Sequence, residues 1–298
     1  MYPWMAIELL RMIEQHLPNH YLAVPLHEQL LGVLRFLAEG SYQKGVGNDH
    51  KHPMSQITFS TYILIVIPSI NTLRNRYIHF PDTEEGREVV SQRFAPRVAI
   101  DGVLAAIDCI LVNIFTATDH EDAYTRDMGY RFTPERICSG RTHDHFIWVY
   151  SDVRRGMYRA RRIAGGGHFY LIGDEGYTSS PVLLNAIRGL NDASPERLYS
   201  NAIRTTRCIV EQSFGILKIV WRCLHADNTL HYEPHFAAEI IVACVILHNF
   251  LRERGMPLPN LVIEANQNEE EEPEDVDDSE FQLEIAERDA IIRRYFTH

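Results

Sequence analysis

The sequence predicts an α/β fold in which short buried strands end in carboxylates and helices cover them. Three observations carry this expectation. The apolar run Leu171-Ile172 is stopped by Gly173-Asp174-Glu175-Gly176-Tyr177, which sets a carboxylate between two glycines. A second apolar run, Val103-Leu104-Ala105-Ala106-Ile107, ends at Asp108. A long helical stretch, Tyr199 to Leu224, carries Arg204, Arg207 and Glu211 at spacings of three and four, so they share one face.

Taken in order, the chain opens with apolar and charged positions at helical spacing over residues 6–17. Leu26, Leu30, Leu31, Leu34 and Leu37 continue that pattern in a second helix, which Gly40 ends. A polar loop follows, and Ser55 reads as the N-cap of a new helix. Helix, loop and capped helix over residues 1–80 are compatible either with a DNA-binding helix-turn-helix or with an ordinary helical subdomain. Cations that could reach phosphates there are few: Arg35, Lys44, Lys51, Arg74 and Arg76. Residues 79–97 are a connector, and strand-like residues 98–107 lead to Asp108. An apolar helix over 236–251 is expected to be buried. Residues 264–280, acidic and poor in aromatics, are expected to be a disordered linker before a terminal amphipathic helix over 281–296.

At 298 residues and 45% apolar, the chain can bury a proper core as one large or two smaller domains. Its net charge of −11 is uneven. The stretch from Glu264 onward holds 13 of the 40 acidic residues and only 3 of the 29 Lys and Arg, so the body is nearly neutral. Charge therefore neither excludes nor demands a nucleic-acid partner. The five cysteines are scattered without a C-x-x-C pair, as expected of reduced thiols in an intracellular protein. Met1-Tyr2-Pro3-Trp4 is not followed by a basic and then an apolar region, so no signal peptide is expected, and the longest wholly apolar run, Ile240–Leu247, is too short to span a bilayer, so no membrane partner is expected.

Two strand-end aspartates and one helical glutamate invite a metal site for phosphodiester chemistry. Mutually repelling carboxylates need cations to neutralise them, and hard oxygen donors suit Mg²⁺ or Mn²⁺. The competing reading of Gly-Asp-x-Gly is a plain turn. His143-Asp144-His145 could ligate metal, but Asp144 is better suited to cap the helix that follows. Arg141, Arg154, Arg155, Arg159, Arg161 and Arg162 form a basic run, readable as a solvated helix face or as contacts to a phosphate backbone. Arg204 and Arg207 could hold substrate phosphates beside Glu211, or simply pair along the helix.

Several stretches together resemble the PIF/Harbinger-type transposases and the Harbinger transposase-derived nucleases, within the DDE superfamily of endonucleases. They are Leu34 to Gln43, Ala106-Ile107-Asp108-Cys109, Thr142-His143-Asp144, Gly173 to Tyr177, Val210 to Gly215, Arg222-Cys223-Leu224 and Ile241 to Asn249. They fall in the family's order across roughly residues 26–255. The resemblance implies an RNase H-like catalytic domain over 98–255, a mixed sheet flanked by helices. It implies a metal-dependent DNA endonuclease whose catalytic and metal-binding triad is Asp108, Asp174 and Glu211, with Asp144 at a further position near the site. It also implies DNA as substrate, a divalent cation (Mg²⁺ or Mn²⁺), a nuclear setting shared in part with the cytoplasm, a Myb-like partner protein in some members, and homo-oligomers.

Three departures from the family pattern stand out. Cys109 leads into Ile110-Leu111 where the family carries Thr-His. Thr125 to Tyr130 lacks the lysine of the corresponding element. Tyr130 to Gly140 offers some ten residues, too few for two full strands and a turn, so part of a β-hairpin is expected to be missing. A non-catalytic, transposase-derived DNA-binding protein is therefore the alternative.

Overall fold

The computed structural model describes residues 1–17, 24–40, 56–114, 130–132, 137–139, 144–163, 168–177, 180–187, 194–259, 261 and 278–297. The Ser55 cap, Lys44, Lys51, residues 125–129, Arg141 to His143 and the acidic stretch through 277 lie outside them. In chain order the helices are α1 (Pro3–Ile13), α2 (Leu26–Glu39), α3 (Gln56–Asn71), α4 (Arg74–Tyr77), α5 (Glu84–Phe94), α6 (Asp144–Val149), α7 (Asp152–Ile163), α8 (Pro195–Val220), α9 (Pro234–Glu253) and α10 (Asp278–Tyr295). The strands are β1 (Val103–Ala106), β2 (Ile110–Val112), β3 (Tyr130–Phe132), β4 (Ile137–Ser139), β5 (Tyr170–Ile172) and β6 (Leu183–Leu184). The fold is mixed α/β, with helices and a small parallel sheet.

Two units divide the chain. The first comprises Met1–His79, Leu111–Gly140 and Phe214–Leu261. Its core is made by α2, α3 and α9, through Val33 and Leu37, Phe59, Ile63, Val66 and Ile67, and Ile240, Ala243 and Leu247. Gly40 ends α2 at φ +65, where a side chain would meet the Arg222 carbonyl at 2.8 Å. Helix α3, which a helix-turn-helix would offer to a groove, contains no Lys or Arg and spends Phe59, Tyr62, Ile63, Val66, Ile67 and Ile70 on the core. By length and apolarity alone α9 could cross a bilayer. Here it is a core helix, with Ala237, Ile240, Cys244, Ile246 and Phe250 buried. Asn249 is satisfied, donating to the Tyr77 carbonyl, whereas His248 Nδ1 is buried without a hydrogen-bond partner.

The first unit holds the segment in which part of a β-hairpin is expected to be missing. Residues β3 and β4 pair antiparallel, with Tyr130 opposite Ser139, Arg131 opposite Cys138 and Phe132 opposite Ile137, in a sheet of order β2-β3-β4. Each strand has only three residues, about 10 Å at the usual strand rise. A hairpin is thus present in shortened form, because three paired residues on each side already make a ladder.

The second unit comprises Phe80–Ile110, Arg141–Ser213 and Val262–His298. Its parallel sheet has the order β1-β5-β6. Successive strand residues face opposite ways. Val103, Tyr170, Ile172 and Leu184 pack with Tyr199 and Ile203 of α8 and Ile291 and Ile292 of α10. Leu104, Leu171 and Leu183 pack with Trp148 of α6 and Met157 of α7. Helices therefore cover both faces. The strand is shorter than the 98–107 expected from sequence, because Gly102 turns the chain at φ +82. A Cβ there would lie 1.9 Å from the His168 carbonyl oxygen. Helix α8 also stops earlier than expected: Trp221, at φ −113 and ψ 80, breaks it before a 3-10 turn over Arg222–Leu224.

Candidate active site

The two aspartates reach one sheet edge by register. Ala106 of β1 is the partner of Ile172 in β5, and the Ile107 amide donates to the Ile172 carbonyl at 2.8 Å. Asp108 and Asp174 each lie two residues beyond that pair. They therefore leave the C-terminal edge of adjacent parallel strands, the edge where open α/β sheets bind ligands. Each aspartate is fixed by a local bond. The Cys109 amide donates to Asp108 Oδ1 at 2.8 Å, and the Gly176 amide donates to Asp174 Oδ1 at 2.9 Å. Asp174 is 5% exposed, and its second oxygen is left to face a partner.

That partner comes from α8. Arg207 Nη2 lies 3.7 Å from Asp174 Oδ2 and 3.0 Å from Glu211 Oε1, one helical turn on. Both carboxylates thus meet one guanidinium nitrogen and sit well within a nanometre of each other. Arg207 Nε is buried without a hydrogen-bond partner, so the guanidinium answers to charge more than to hydrogen-bond geometry. Asp108 belongs to the same electrostatic cluster. Burial pushes its carboxyl up to about 6; the Asp174 and Glu211 charges push the same way, while the Cys109 amide and Arg207 oppose them.

Neighbouring side chains hold the two loops. Arg204 Nη2 donates to Glu175 Oε1 at 2.8 Å, tying the turn that carries Asp174 to α8. Gly173 is closely approached: a Cβ would meet Tyr177 Cδ2 at 3.1 Å and Asn185 Oδ1 and Leu183 Cδ1 at 3.2 Å. Asn185 donates to the Tyr177 carbonyl. The Tyr177 hydroxyl sits 3.5 Å from Cys109 Sγ, bridging the Asp174 turn and the Asp108 loop. Burial, then the Cys109 thiol and the nearby aspartates, keep that phenol protonated.

The structure thus brings Asp108, Asp174, Glu211 and Arg207 together. Arg204 serves the Glu175 turn. Asp144 is the first residue of α6, and its side chain lies outside the described residues. Sequence reasoning missed Glu175, Asn185 and Tyr177 as supports. Glu175 and Tyr177 carried a signal, their places in the Gly-Asp-Glu-Gly-Tyr run, and Asn185 carried none. Among the described residues, no three carboxylate, imidazole or thiol groups converge tightly enough to coordinate one ion as they stand.

Comparison with known proteins locates the chain. The sequence signature of the DDE superfamily endonucleases matches residues 123–249, which include Asp174 and Glu211 and begin after Asp108. "Putative nuclease HARBI1" of Xenopus laevis is 23% identical over 251 residues, covering 79% of this chain and 70% of the relative. The Bos taurus protein of that name is 25% identical over 251 residues, with 78% and 69% covered, and that of Rattus norvegicus 24% over 279, with 86% and 77%. No solved structure matches the chain. The resemblance carried by the motifs is thus met again by comparison: over residues 123–249 the chain is similar to the DDE superfamily endonucleases.

Proposed function

We propose that the chain is a metal-dependent DNA endonuclease of transposase origin, in which Asp108, Asp174 and Glu211 act as one catalytic and metal-binding unit. The register that sends Asp108 and Asp174 off adjacent parallel strands, with Glu211 delivered beside Asp174 from α8, carries this reading.

The donor chemistry of these residues suits a divalent cation. All three donors are hard carboxylate oxygens, suited to Mg²⁺ or Mn²⁺. Asp108 resists ionisation where it stands, which marks a deficit of positive charge that a cation relieves. Arg207 supplies part of that charge now. When bound, the cation supplies Lewis acidity that activates a water and neutralises charge on the phosphate. The chain's own residues orient the donors. Backbone amides fix one oxygen of each aspartate, and the Arg204–Glu175 pair anchors the turn. Arg207, once released from Asp174, is placed to meet a phosphate oxygen. The nuclear setting and a Myb-like partner belong to the same proposal and rest on the family resemblance alone.

A second reading, a DNA-binding protein without catalysis, is favoured by one observation: Arg207 already fills the space between two carboxylates, and the described ligands do not close around an ion. Supercoiled plasmid incubated with the purified chain and Mn²⁺ separates the two. Nicking that disappears in Asp174→Asn supports the nuclease. Salt-sensitive DNA binding without nicking supports the alternative.

A further inference from the structure

Helix α7 presents two chemically opposite faces. Val153, Met157 and Ala160 recur at spacings of four and three and turn inward, Val153 and Met157 packing on the sheet through Leu104, Leu171 and Leu183. The outer face carries Arg154, Arg155, Tyr158, Arg159 and Arg162, which line a concavity of about 470 Å³. Arg155 is paired with Asp152 and donates to the Tyr150 carbonyl, and the Arg154 guanidinium lies 4.9 Å from the Tyr158 ring centroid. Among the described residues no carboxylate pairs with Arg159 or Arg162. A chain of net charge −11 thus concentrates four guanidiniums on one short helix face.

The orientation of α7 is set by its contacts. Arg161, in its last turn, donates to the Pro181 carbonyl and to Glu287, which also accepts from the Tyr170 hydroxyl at the start of β5. The C-terminal end of α7 therefore lies at the N-terminal edge of the strands. Its first turn packs through Val153 on the cluster that holds Leu104, Leu171 and Leu183.

We infer that the outer face of α7 binds the phosphodiester backbone of duplex DNA. This rests on the nuclease reading above, which supplies DNA as the polymer. The spacing suits that ligand. Arg155 to Arg162 spans about 10 Å along the helix axis, against one phosphate per about 3.4 Å of each strand. Guanidinium forks match phosphate oxygens two at a time. Contacts of this kind set position and register without reading bases, so the binding is sequence-independent.

Binding of the full chain to a duplex oligonucleotide, measured by fluorescence anisotropy in EDTA across a salt series, tests this. Replacing Arg155, Arg159 and Arg162 by Ala should lower the slope of log K against log salt by about 2.7, at roughly 0.9 per lost phosphate contact. The corresponding Lys triple should keep the slope. If the Ala triple fails to fold, a Gln triple read against the Lys triple makes the same comparison. A control with Arg11, Arg93 and Arg97 changed to Ala removes equal charge elsewhere and should keep the slope within about one unit. An Ala triple with the wild-type slope overturns the inference, as does a control that loses as much. No measurable duplex binding by the wild-type chain overturns it too. Without divalent metal, catalysis plays no part: binding through α7 by a chain that never nicks DNA sinks the nuclease reading alone, and nicking with an unchanged slope in the triple sinks this inference alone.

Discussion

Arg207 and Glu211 form an ion pair of 3.0 Å one helical turn apart, and the same guanidinium nitrogen reaches Asp174 across to the sheet edge at 3.7 Å. The pair does more than staple a helix. It places a cation between two carboxylates of the proposed metal site, where an incoming metal must compete with it.

Removing that internal cation should therefore favour metal. Arg207→Met is expected to tighten Mn²⁺ binding by about tenfold, the equivalent of 1.4 kcal/mol of relieved competition, and to lower the metal-free chain's stability by about 1–2 kcal/mol. Calorimetric titration and chemical denaturation read the two effects. Weaker Mn²⁺ binding in the variant would mean that Arg207 supports the metal site.

The raised Asp108 carboxyl gives the metal-free chain a pH dependence of definite sign. A carboxyl that titrates near 3.8 when unfolded and near 6 when folded favours folding while protonated. Its contribution is complete below about pH 4 and is lost as pH rises through about 6, a change of about 3 kcal/mol. Asp108→Asn should flatten this decline and stabilise the metal-free chain at pH 8, while abolishing plasmid nicking. Denaturation midpoints between pH 4 and 8 measure it. A variant that declines as steeply as the wild type would place the titration elsewhere.

Arg204 and Glu175 predict a positioning effect. Arg204→Ala should cost about 1 kcal/mol of stability, since the pair is half-buried. It should also slow nicking more than it weakens DNA binding, because the turn that holds Asp174 loses its anchor. A double-mutant cycle with Glu175→Gln should show coupling near that value. Strict additivity would show that the contact does not hold the turn.

Gly173→Ala tests the close approach behind Asp174. Three neighbours crowd the new methyl at 3.1–3.2 Å. Overpacking of this kind costs about 1–3 kcal/mol. A thermal melt unchanged from wild type would mean that Tyr177, Asn185 and Leu183 yield without strain.

Much of the candidate site was legible because an apolar run that stops at a carboxylate is a local signal: Asp108 and Asp174 stand where such runs end, and Glu211 shares a helix face with Arg207. What joins them is non-local. The pairing of Ala106 with Ile172 decides that the aspartates leave side by side, and nothing within either run encodes it. The Arg204–Glu175 contact is hidden for the same reason: helical spacing shows which residues share a face but not which turn the face meets. The hairpin's short reach was legible in the count of residues between Tyr130 and Gly140, but its pairing over three residues on each side was not. For α3, the sequence was compatible with a groove-reading helix or with an ordinary helical subdomain, and its burial between α2 and α9 is a non-local fact that neither reading contained.

The claim that Asp108, Asp174 and Glu211 act on one shared cation is tested most directly by titrating Mn²⁺ into the full chain and into the Asp108→Asn, Asp174→Asn and Glu211→Gln variants, with bound ion counted by electron paramagnetic resonance. The account predicts saturable binding that each single substitution weakens by tenfold or more, about 1.4 kcal/mol. Three variants that bind Mn²⁺ as the wild type does would contradict it.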